Sequence, residues 1–348
     1  MIYFISLLTS FLFSVIITPV VIKLAVKLNI FDQPGERKIH KTKTPLLGGL
    51  AIFLAFSLVA VIFWSAGYIS DKRILDINVF AILLAGAVLI IGGFLDDKYS
   101  LKPLNQLVFP LLATIIAISS GIKIQFITNP LGGILEFPAY LGIIMAFFWL
   151  IGMIYTTKLL DGLDGLVAGV TTIGSLVIFF VSLYWDAPLS GTSIMATVLA
   201  GSALGFLVFN FHPAKIFLGE GGSLFCGFML GVLSIISGSK IATALLIMGI
   251  PILDVAWVIL RRIWQGRSPA TGDNQHLHFR LLNIGLSHRQ AVILLYFLTG
   301  AFGITSLFLK SKGKIIALAI LTIVMVVMAI GLVYIYKLKN KSLNGPKA

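Results

Sequence analysis

Long apolar runs separated by short polar segments repeat along the whole chain. Each run approaches the roughly 20 residues that a helix needs to cross the hydrocarbon core, and none shows the ten-residue alternation of a membrane β-strand. Because lipid offers no hydrogen-bond partner to the backbone, helices are the remaining way to cross it. We predict an all-α polytopic membrane protein with about eleven transmembrane helices, near residues 2–22, 46–67, 78–95, 106–120, 139–157, 167–185, 190–211, 223–238, 241–260, 292–309 and 315–336.

Composition and charge give this bundle an orientation. The chain is 58% apolar and 11% charged, with a mean hydropathy of +1.04, which excludes a soluble multidomain protein. Nineteen of the 26 Lys and Arg residues fall on one side of the predicted spans, so the positive-inside rule predicts an external N-terminus and a cytoplasmic C-terminus. We predict one integral-membrane domain over 1–348, with a basic cytoplasmic tail at 337–348. The net charge of +13 suits anionic lipid headgroups and requires no nucleic acid.

The polar chemistry gathers on the same predicted side. All five histidines and most of the acidic residues lie in the cytoplasmic segments or within two turns of them. A carboxylate at the bilayer centre costs about 2.5–3.5 kcal/mol, and a transporter accepts that cost to build a midplane site. In this chain the acidic residues lie away from the predicted bilayer centre. An enzyme at the cytoplasmic interface, taking one substrate from water and one from lipid, therefore fits better than a transporter, which remains the weaker alternative.

The stretch 158–166 carries two carboxylates, Asp161 and Asp164, at a predicted span end. Side chains three residues apart share one helix face, and two carboxylates there repel each other unless a cation lies between them or one is protonated. Gly162 and Gly165 allow the backbone to leave helical geometry. The alternative interpretation is a plain loop between two spans.

Further acids occupy two other cytoplasmic span ends. Asp96 and Asp97 close the third span, where their charge opposes the helix dipole, so a bound cation is the better explanation of the pair. Glu220 lies in a glycine-rich turn before the eighth span. Such turns cradle phosphate oxygens in some proteins, although an ordinary turn explains this one equally well.

Basic residues in two loops are candidates for binding an anion. Arg37, Lys38 and His40 can meet a phosphate at the membrane surface, or they can be an ordinary positive-inside loop. His276 and His278 form a His-x-His pair without the further ligands that a zinc site requires, so hydrogen bonding to an anionic substrate is favoured over zinc. Taken together, acids beside Lys, Arg and His suit Mg²⁺ and a phosphorylated ligand.

These segments resemble, in order along nearly the whole chain, the polyprenyl-phosphate N-acetylhexosamine-1-phosphate transferases of the MraY/WecA type. The resemblance is carried by the following motifs: Asp32-x-Pro34…Arg37-Lys38-x-His40, Gly93-x-x-Asp96-Asp97, Asp161-Gly162-Leu163-Asp164-Gly165, Asn210-x-x-Pro213-Ala214-x-x-Phe217-x-Gly219-x-x-Gly222-Ser223, Pro251-x-x-Asp254 and His276-Leu277-His278.

The resemblance implies an enzyme of the bacterial cytoplasmic membrane, with its active site facing the cytoplasm. Such an enzyme uses Mg²⁺, or alternatively Mn²⁺, to move a sugar 1-phosphate from a UDP-N-acetylhexosamine to undecaprenyl phosphate. The reaction releases UMP and starts a cell-envelope glycan. The UDP-N-acetylglucosamine branch is the nearer one. The sequence leaves the sugar, the glycan pathway and the oligomeric state open, a homodimer being one alternative.

The resemblance also implies roles for residues. Asp96 and Asp97 would engage the cation and the lipid phosphate, and Asp161 and Asp164 would line the nucleotide-sugar cleft. Glu220 and Asp97 would hold the metal. The predicted substrate-binding residues are Arg37, Lys38, His40, Lys158, Asn210, His276, His278 and Arg280.

The chain departs from the family pattern close to these positions. Tyr155 and Lys158 stand where the family usually has asparagines, Gln106 where it has lysine, Glu220 where it has aspartate and Phe279 where it has histidine. Two explanations are open: a subfamily with a rebuilt site, or a homologue that binds nucleotide-sugar or lipid phosphate without turnover. The six acids and two histidines that remain together favour the rebuilt site.

Overall fold

The computed structural model describes residues 1–32, 43–71, 73–129, 132–185, 189–238, 240–266 and 276–343, with side chains described as far as 335 apart from that of Trp185. Within these ranges the chain is a helical bundle with two small antiparallel strand pairs, β1–β2 and β3–β4. The elements in order are α1 (Ile2–Lys27), β1 (Phe31–Asp32), β2 (Thr44–Pro45), α2 (Gly48–Ser65), α3 (Asp76–Tyr99), α4 (Pro103–Ser119), β3 (Phe126–Thr128), β4 (Ile134–Glu136), α5 (Ala139–Leu160), α6 (Leu166–Trp185), α7 (Gly191–Asn210), α8 (Gly219–Ile236), α9 (Ile241–Ile247), α10 (Gly249–Trp264), α11 (Leu277–Asn283), α12 (His288–Phe308) and α13 (Ser311–Leu343).

The helices confirm the predicted polytopic membrane class. Among the described residues, nine helices are long and apolar enough to cross a membrane, and α9 with α10 form a tenth, broken candidate that bends by 76°. The 17-residue α4 is apolar but shorter. Every predicted span coincides with one of these helices, while the number that cross and the side on which each terminus lies remain predictions.

Small residues let α1 and α7 pack closely. Ser6, Ser10 and Ser14 are fully buried along one face of α1, where Ser14 donates to the Ser202 carbonyl at 2.7 Å. A Cβ added to Gly201 of α7 would lie 2.2 Å from a backbone oxygen of α1. This agrees with helix association in membranes, which depends on small interfacial residues and interhelical hydrogen bonds.

Glycines bring α2, α3 and α8 closer still. A Cβ on Gly93 would lie 2.0 Å from the Gly221 nitrogen, and a Cβ on Gly49 would lie 2.1 Å from the Gly222 Cα. The backbones of the three helices therefore touch where the predicted site residues lie, because Asp97 follows Gly93 by one turn and Glu220 precedes Gly221. Gly49, Gly93, Gly221 and Gly222 are therefore contact points between helices.

Candidate active site

The ends of several helices surround a cavity of about 380 Å³. Its lining comes from β1, the residue after β2, α3, the α5–α6 turn, the end of α7, the loop that follows α7, the start of α8, α11 and the first residue of α12. The lining residues are Asp32, Leu46, Asp97, Asp161, Gly162, Leu163, Asp164, Asn210, His212, Phe217, Leu218, Gly219, Glu220, Phe279 and His288. Residues far apart in sequence thus face one space.

The turn between α5 and α6 presents its two aspartates differently. Gly165 has a φ of +81°, a conformation that favours glycine, and its N–H donates to the Asn210 Oδ1 at 3.0 Å. Asn210 in turn donates to the Ile216 carbonyl at 2.8 Å, so this predicted substrate-binding residue fastens the turn to the loop after α7. The Asp164 carboxylate accepts hydrogen bonds from that loop, whereas the Asp161 carboxylate has no partner among the described residues.

Asp97 and Glu220 meet across the glycine contact of α3 and α8. The Glu220 N–H faces both Asp97 carboxylate oxygens, at 3.2 and 3.3 Å. Asp97 thereby lies at the N-terminal end of α8, where a carboxylate is favourable for the helix dipole. Gly219 has a φ of +75°, and a Cβ there would lie 2.6 Å from the Asp97 Oδ2. The dipole conflict expected at the end of α3 is therefore offset by α8.

A chain of polar contacts links four helices behind these acids. The Lys158 ammonium forms an ion pair with Glu220 and donates to the Gln106 Oε1 at 3.0 Å. The Gln106 amide donates to Asp96 at 3.0 Å. Asp96 also accepts the Leu101 N–H at 2.8 Å, which caps the turn between α3 and α4. Asp96 and Lys158 do not belong to the cavity lining given above, and their substrate roles remain predictions.

Asp161 carries the clearest electrostatic perturbation of the site. Surrounding protein desolvates its carboxyl group, and the nearby charges of Glu220, Asp97 and Asp164 add repulsion. Both effects raise the pKa of Asp161 well above its usual value, because both penalise the ionised form. A cation between these oxygens would remove the penalty.

The chemistry of the acidic donors suits a hard divalent cation. Asp97, Asp161 and Glu220 offer carboxylate oxygens to one cavity, and Mg²⁺ prefers such oxygens together with substrate phosphates. The ion pair with Lys158 engages one Glu220 oxygen, which leaves the other available. The described lining of the cavity contains no thiolate that would favour a softer metal.

The histidines divide into two pairs. His212 contacts Asp164 through its Nδ1 at 2.7 Å, and its ring stacks on that of His288 with centroids 4.1 Å apart. Both rings line the cavity. His276 and His278, the predicted pair, are buried instead, with 5% and 1% of their surface exposed.

Asp254 explains the position of the buried pair. Its carboxylate contacts the His276 Nδ1 at 2.9 Å and accepts the Leu277 N–H at 2.8 Å, which fixes the start of α11. His278 packs against Gly162, where an added Cβ would lie 2.1 Å from its Nε2. Burial lowers the pKa of His278 to about 3, with smaller contributions from His276 and His288, so its ring is neutral. The pair supports the cavity wall from behind.

The remaining basic residues of the predicted site lie outside the described cavity lining. Arg37, Lys38 and His40 lie outside the described residues. Arg280 is on α11 and is not part of the described cavity lining. Phe279, at the position where the resembled family has histidine, does line the cavity. Contact of Arg280, His276 and His278 with a substrate therefore remains a prediction.

Comparison with known proteins identifies relatives of this chain. A protein of Bacillus subtilis (strain 168) named "Probable undecaprenyl-phosphate N-acetylglucosaminyl 1-phosphate transferase" is 34% identical over 336 residues, covering 94% of this chain and 90% of the relative. The profile of "Glycosyl transferase family 4" matches residues 79–238. The chain belongs to glycosyl transferase family 4.

Other relatives extend the similarity across bacteria. A decaprenyl-phosphate N-acetylglucosaminephosphotransferase of Mycolicibacterium smegmatis is 32% identical, with 84% of this chain and 78% of the relative covered. An undecaprenyl-phosphate alpha-N-acetylglucosaminyl 1-phosphate transferase of Yersinia pestis is 26% identical, with 83% and 80% covered. The protein is accordingly a membrane-embedded transferase, and the family resemblance seen in its motifs is confirmed.

Two residues of this family 4 cavity escaped sequence reasoning. His212 stands alone in its segment, and His288 lies ten residues after His278 in the same predicted loop, so neither has the paired spacing that drew attention to His276 and His278. Each follows a predicted span end or precedes a span start by a few residues, and this shared position was the signal available. Only the fold shows that both are adjacent to Asp164.

Proposed function

We propose that this protein transfers N-acetylglucosamine 1-phosphate from UDP-N-acetylglucosamine to undecaprenyl phosphate, with Mg²⁺ as cofactor, and releases UMP. We place the reaction at the cytoplasmic face of a bacterial membrane. The relatives carry names for this kind of transfer to polyprenyl phosphates. The observation that carries the proposal is the convergence of Asp97, Asp161 and Glu220 on one cavity.

A second opening beside the cavity supports a lipid co-substrate. An apolar groove of about 190 Å³ shares Asp97 and Leu218 with the polar cavity, and its floor includes Gly221 and Gly222. Ile91, at its edge, is 55% exposed on the surface that the membrane would cover. Asp97 therefore lies where a water-borne ligand and a lipid-borne phosphate can meet.

The reaction requires two anions to approach each other. An oxygen of the lipid phosphate attacks the β-phosphorus of the donor, a new P–O bond forms, and the bond to the UMP oxygen breaks. Mg²⁺, when bound, would neutralise phosphate charge, which is the main demand of phosphoryl transfer. Asp97, Asp161 and Glu220 would hold it, and Lys158 would fix the orientation of the Glu220 carboxylate. Asn210 would keep the α5–α6 turn in place.

The test is release of UMP by the purified protein in lipid nanodiscs, given UDP-N-acetylglucosamine, undecaprenyl phosphate and Mg²⁺. We expect turnover that is lost with chelator and with Asp97→Asn. The matched control is Glu136→Gln, which makes the same acid-to-amide change on exposed β4, outside the described cavity lining. Absence of UMP with every UDP-N-acetylhexosamine tried would overturn the proposed function.

One observation favours a second candidate, a homologue that binds these ligands without turnover. Lys158 already pairs with Glu220, so a fixed positive charge is present where a metal ligand is expected. Under this alternative UDP binds, no UMP forms, and Lys158→Asn does not restore turnover. Turnover by the unmodified protein would exclude it.

A further inference from the structure

Asp164, His212 and His288 form a compact node on one wall of the cavity. They come from the α5–α6 turn, the loop after α7 and the start of α12, respectively. The Asp164 Oδ2 contacts the His212 Nδ1 at 2.7 Å and accepts the Ala214 N–H at 3.2 Å. The Asp164 N–H donates to the His288 Nε2 at 2.8 Å. One residue thus fixes both rings.

These contacts determine which ring nitrogens are available. The His288 Nε2 accepts a backbone N–H, so its proton is on Nδ1 and this ring is neutral in this arrangement. His288 also stacks on His212 at an interplanar angle of 12°. Since the His212 Nδ1 faces Asp164, its Nε2 is at the opposite edge of a ring that is 38% exposed.

The charge of the cavity gives that free nitrogen a role. Five carboxylates line the cavity, those of Asp32, Asp97, Asp161, Asp164 and Glu220, and within the described lining there is no Lys or Arg. His212 is therefore the one described lining side chain that can direct an N–H into the cavity as a cation. When both ring nitrogens carry a proton, the Nδ1 of His212 donates to Asp164 and its Nε2 is left to donate to an anion in the cavity.

The node also has the spacing of a transition-metal site. One ligand atom from each of the three residues lies within 4.8 Å of the others. However, the His288 Nε2 already accepts the Asp164 N–H, so a metal bound at this nitrogen would have to break that hydrogen bond. The geometry favours an anion on His212 over a metal on all three residues.

We propose that His212 binds the diphosphate of the nucleotide-sugar donor through its Nε2, with Asp164 and His288 as the residues that position it. This rests on the proposed function for the identity of the donor. It adds a substrate-binding residue to the wall that Asp164 forms, in addition to the acids that would hold the cation. The described lining of the apolar groove proposed for the lipid acceptor does not include His212.

Two conservative substitutions separate binding from architecture. His212→Asn keeps an N–H near the Nδ1 position for Asp164 and removes the Nε2 group. His212→Gln keeps an N–H near the Nε2 position. Lys215→Gln, an exposed change in the same loop outside the described cavity lining, is the control. UDP binding to the purified protein is measured by titration calorimetry with Mg²⁺ present.

We expect His212→Asn to weaken UDP binding roughly ten- to hundredfold, the loss typical of one hydrogen bond to a charged group, and His212→Gln to recover part of it. The KM for undecaprenyl phosphate should not change. Wild-type affinity in His212→Asn would overturn the inference, as would stoichiometric zinc in the purified protein that this variant loses. Wild-type protein that binds UDP but releases no UMP would contradict the proposed function alone, because the affinity comparison remains valid without turnover.

Discussion

Replacing Lys158 by methionine should destabilise the metal-free protein and tighten its binding of Mg²⁺. The side chains of Lys158 and Glu220 are only 21% and 19% exposed. Breaking a fully buried ion pair costs about 3–5 kcal/mol, and an exposed pair is worth less than about 1 kcal/mol. We therefore expect a loss of about 2 kcal/mol, which for a protein of this size lowers the Tm by roughly 4 °C.

The effect on the metal has the opposite sign. The Lys158 ammonium would repel a cation bound at Glu220. At an effective dielectric constant of about 20, a unit positive charge about 6 Å from the ammonium is repelled by about 2.8 kcal/mol. Partial exposure of the pair reduces that figure. Without the ammonium, Glu220 is free to complete the site with Asp97 and Asp161, so we expect Mg²⁺ to bind roughly tenfold tighter. Thermal unfolding in detergent across a Mg²⁺ titration measures both changes together.

The pair offers an internal control. Lys158→Met combined with Glu220→Gln removes both charges, so the double variant should recover most of the metal-free stability while losing metal affinity. Lys102→Met makes the same substitution at an exposed lysine and should leave the titration unchanged. An unaltered Tm and an unaltered Mg²⁺ midpoint in Lys158→Met would refute the reasoning. Lys158 would then contribute only to the orientation of the protein in the membrane.

Two further predictions concern Asp161 and Gly219. The raised pKa of Asp161 means that the folded protein holds this proton more tightly than the unfolded chain does, so metal-free stability should fall as pH rises above the usual pKa of an aspartate. Asp161→Asn should flatten that fall and raise the metal-free Tm while abolishing turnover; a parallel fall in the variant would contradict this. Gly219→Ala places a Cβ 2.6 Å from Asp97 at a φ of +75°, and should cost about 1–3 kcal/mol. Gly152→Ala on α5 meets no atom within 4 Å and should be neutral or stabilising, so equal losses in denaturant unfolding would argue against the Asp97 contact.

Hydropathy was sufficient for the helices and insufficient for their contacts. Runs of apolar residues near the length of a span predict the membrane-length helices because lipid leaves the backbone no other choice, whereas the short α11 matches no predicted span. The bend of 76° between α9 and α10 was not predicted, since both halves are apolar and read as one span. The glycine contacts of α2, α3 and α8 were likewise not predicted, because close approach depends on which faces meet.

The acidic residues of the candidate site could be predicted because they cluster at the ends of predicted spans. Asp97, Asp161 and Glu220 share one cavity, as their clustering at span ends suggested. Asp96 was equally prominent in the sequence, yet its carboxylate caps a turn and holds Gln106. Adjacent residues on a helix point in different directions, and the sequence alone does not tell which of the two faces the cavity.

The two pairs of histidines show the limit of spacing as a signal. His276 and His278 are prominent because they are separated by a single residue, but Asp254 and Gly162 hold them behind the wall. His212 and His288 are 76 positions apart and come together only because Asp164 bonds one through its side chain and the other through its backbone. Local spacing predicts which residues share a segment, whereas long-range hydrogen bonds decide which share a site.

Asp97 connects the packing of the bundle to its chemistry. Its carboxylate faces the N-terminal end of α8, and this is possible because Gly93 and Gly221 allow the two helices to touch. The same contact puts Asp97 at the border of a polar cavity and an apolar groove. A side chain larger than glycine at position 93 would separate the helices, and would move Asp97 away from both Glu220 and the groove at once. A substitution at Gly93 should therefore lower both stability and catalysis. Lys158→Met, in contrast, should lower the metal-free stability while Mg²⁺ binds more tightly.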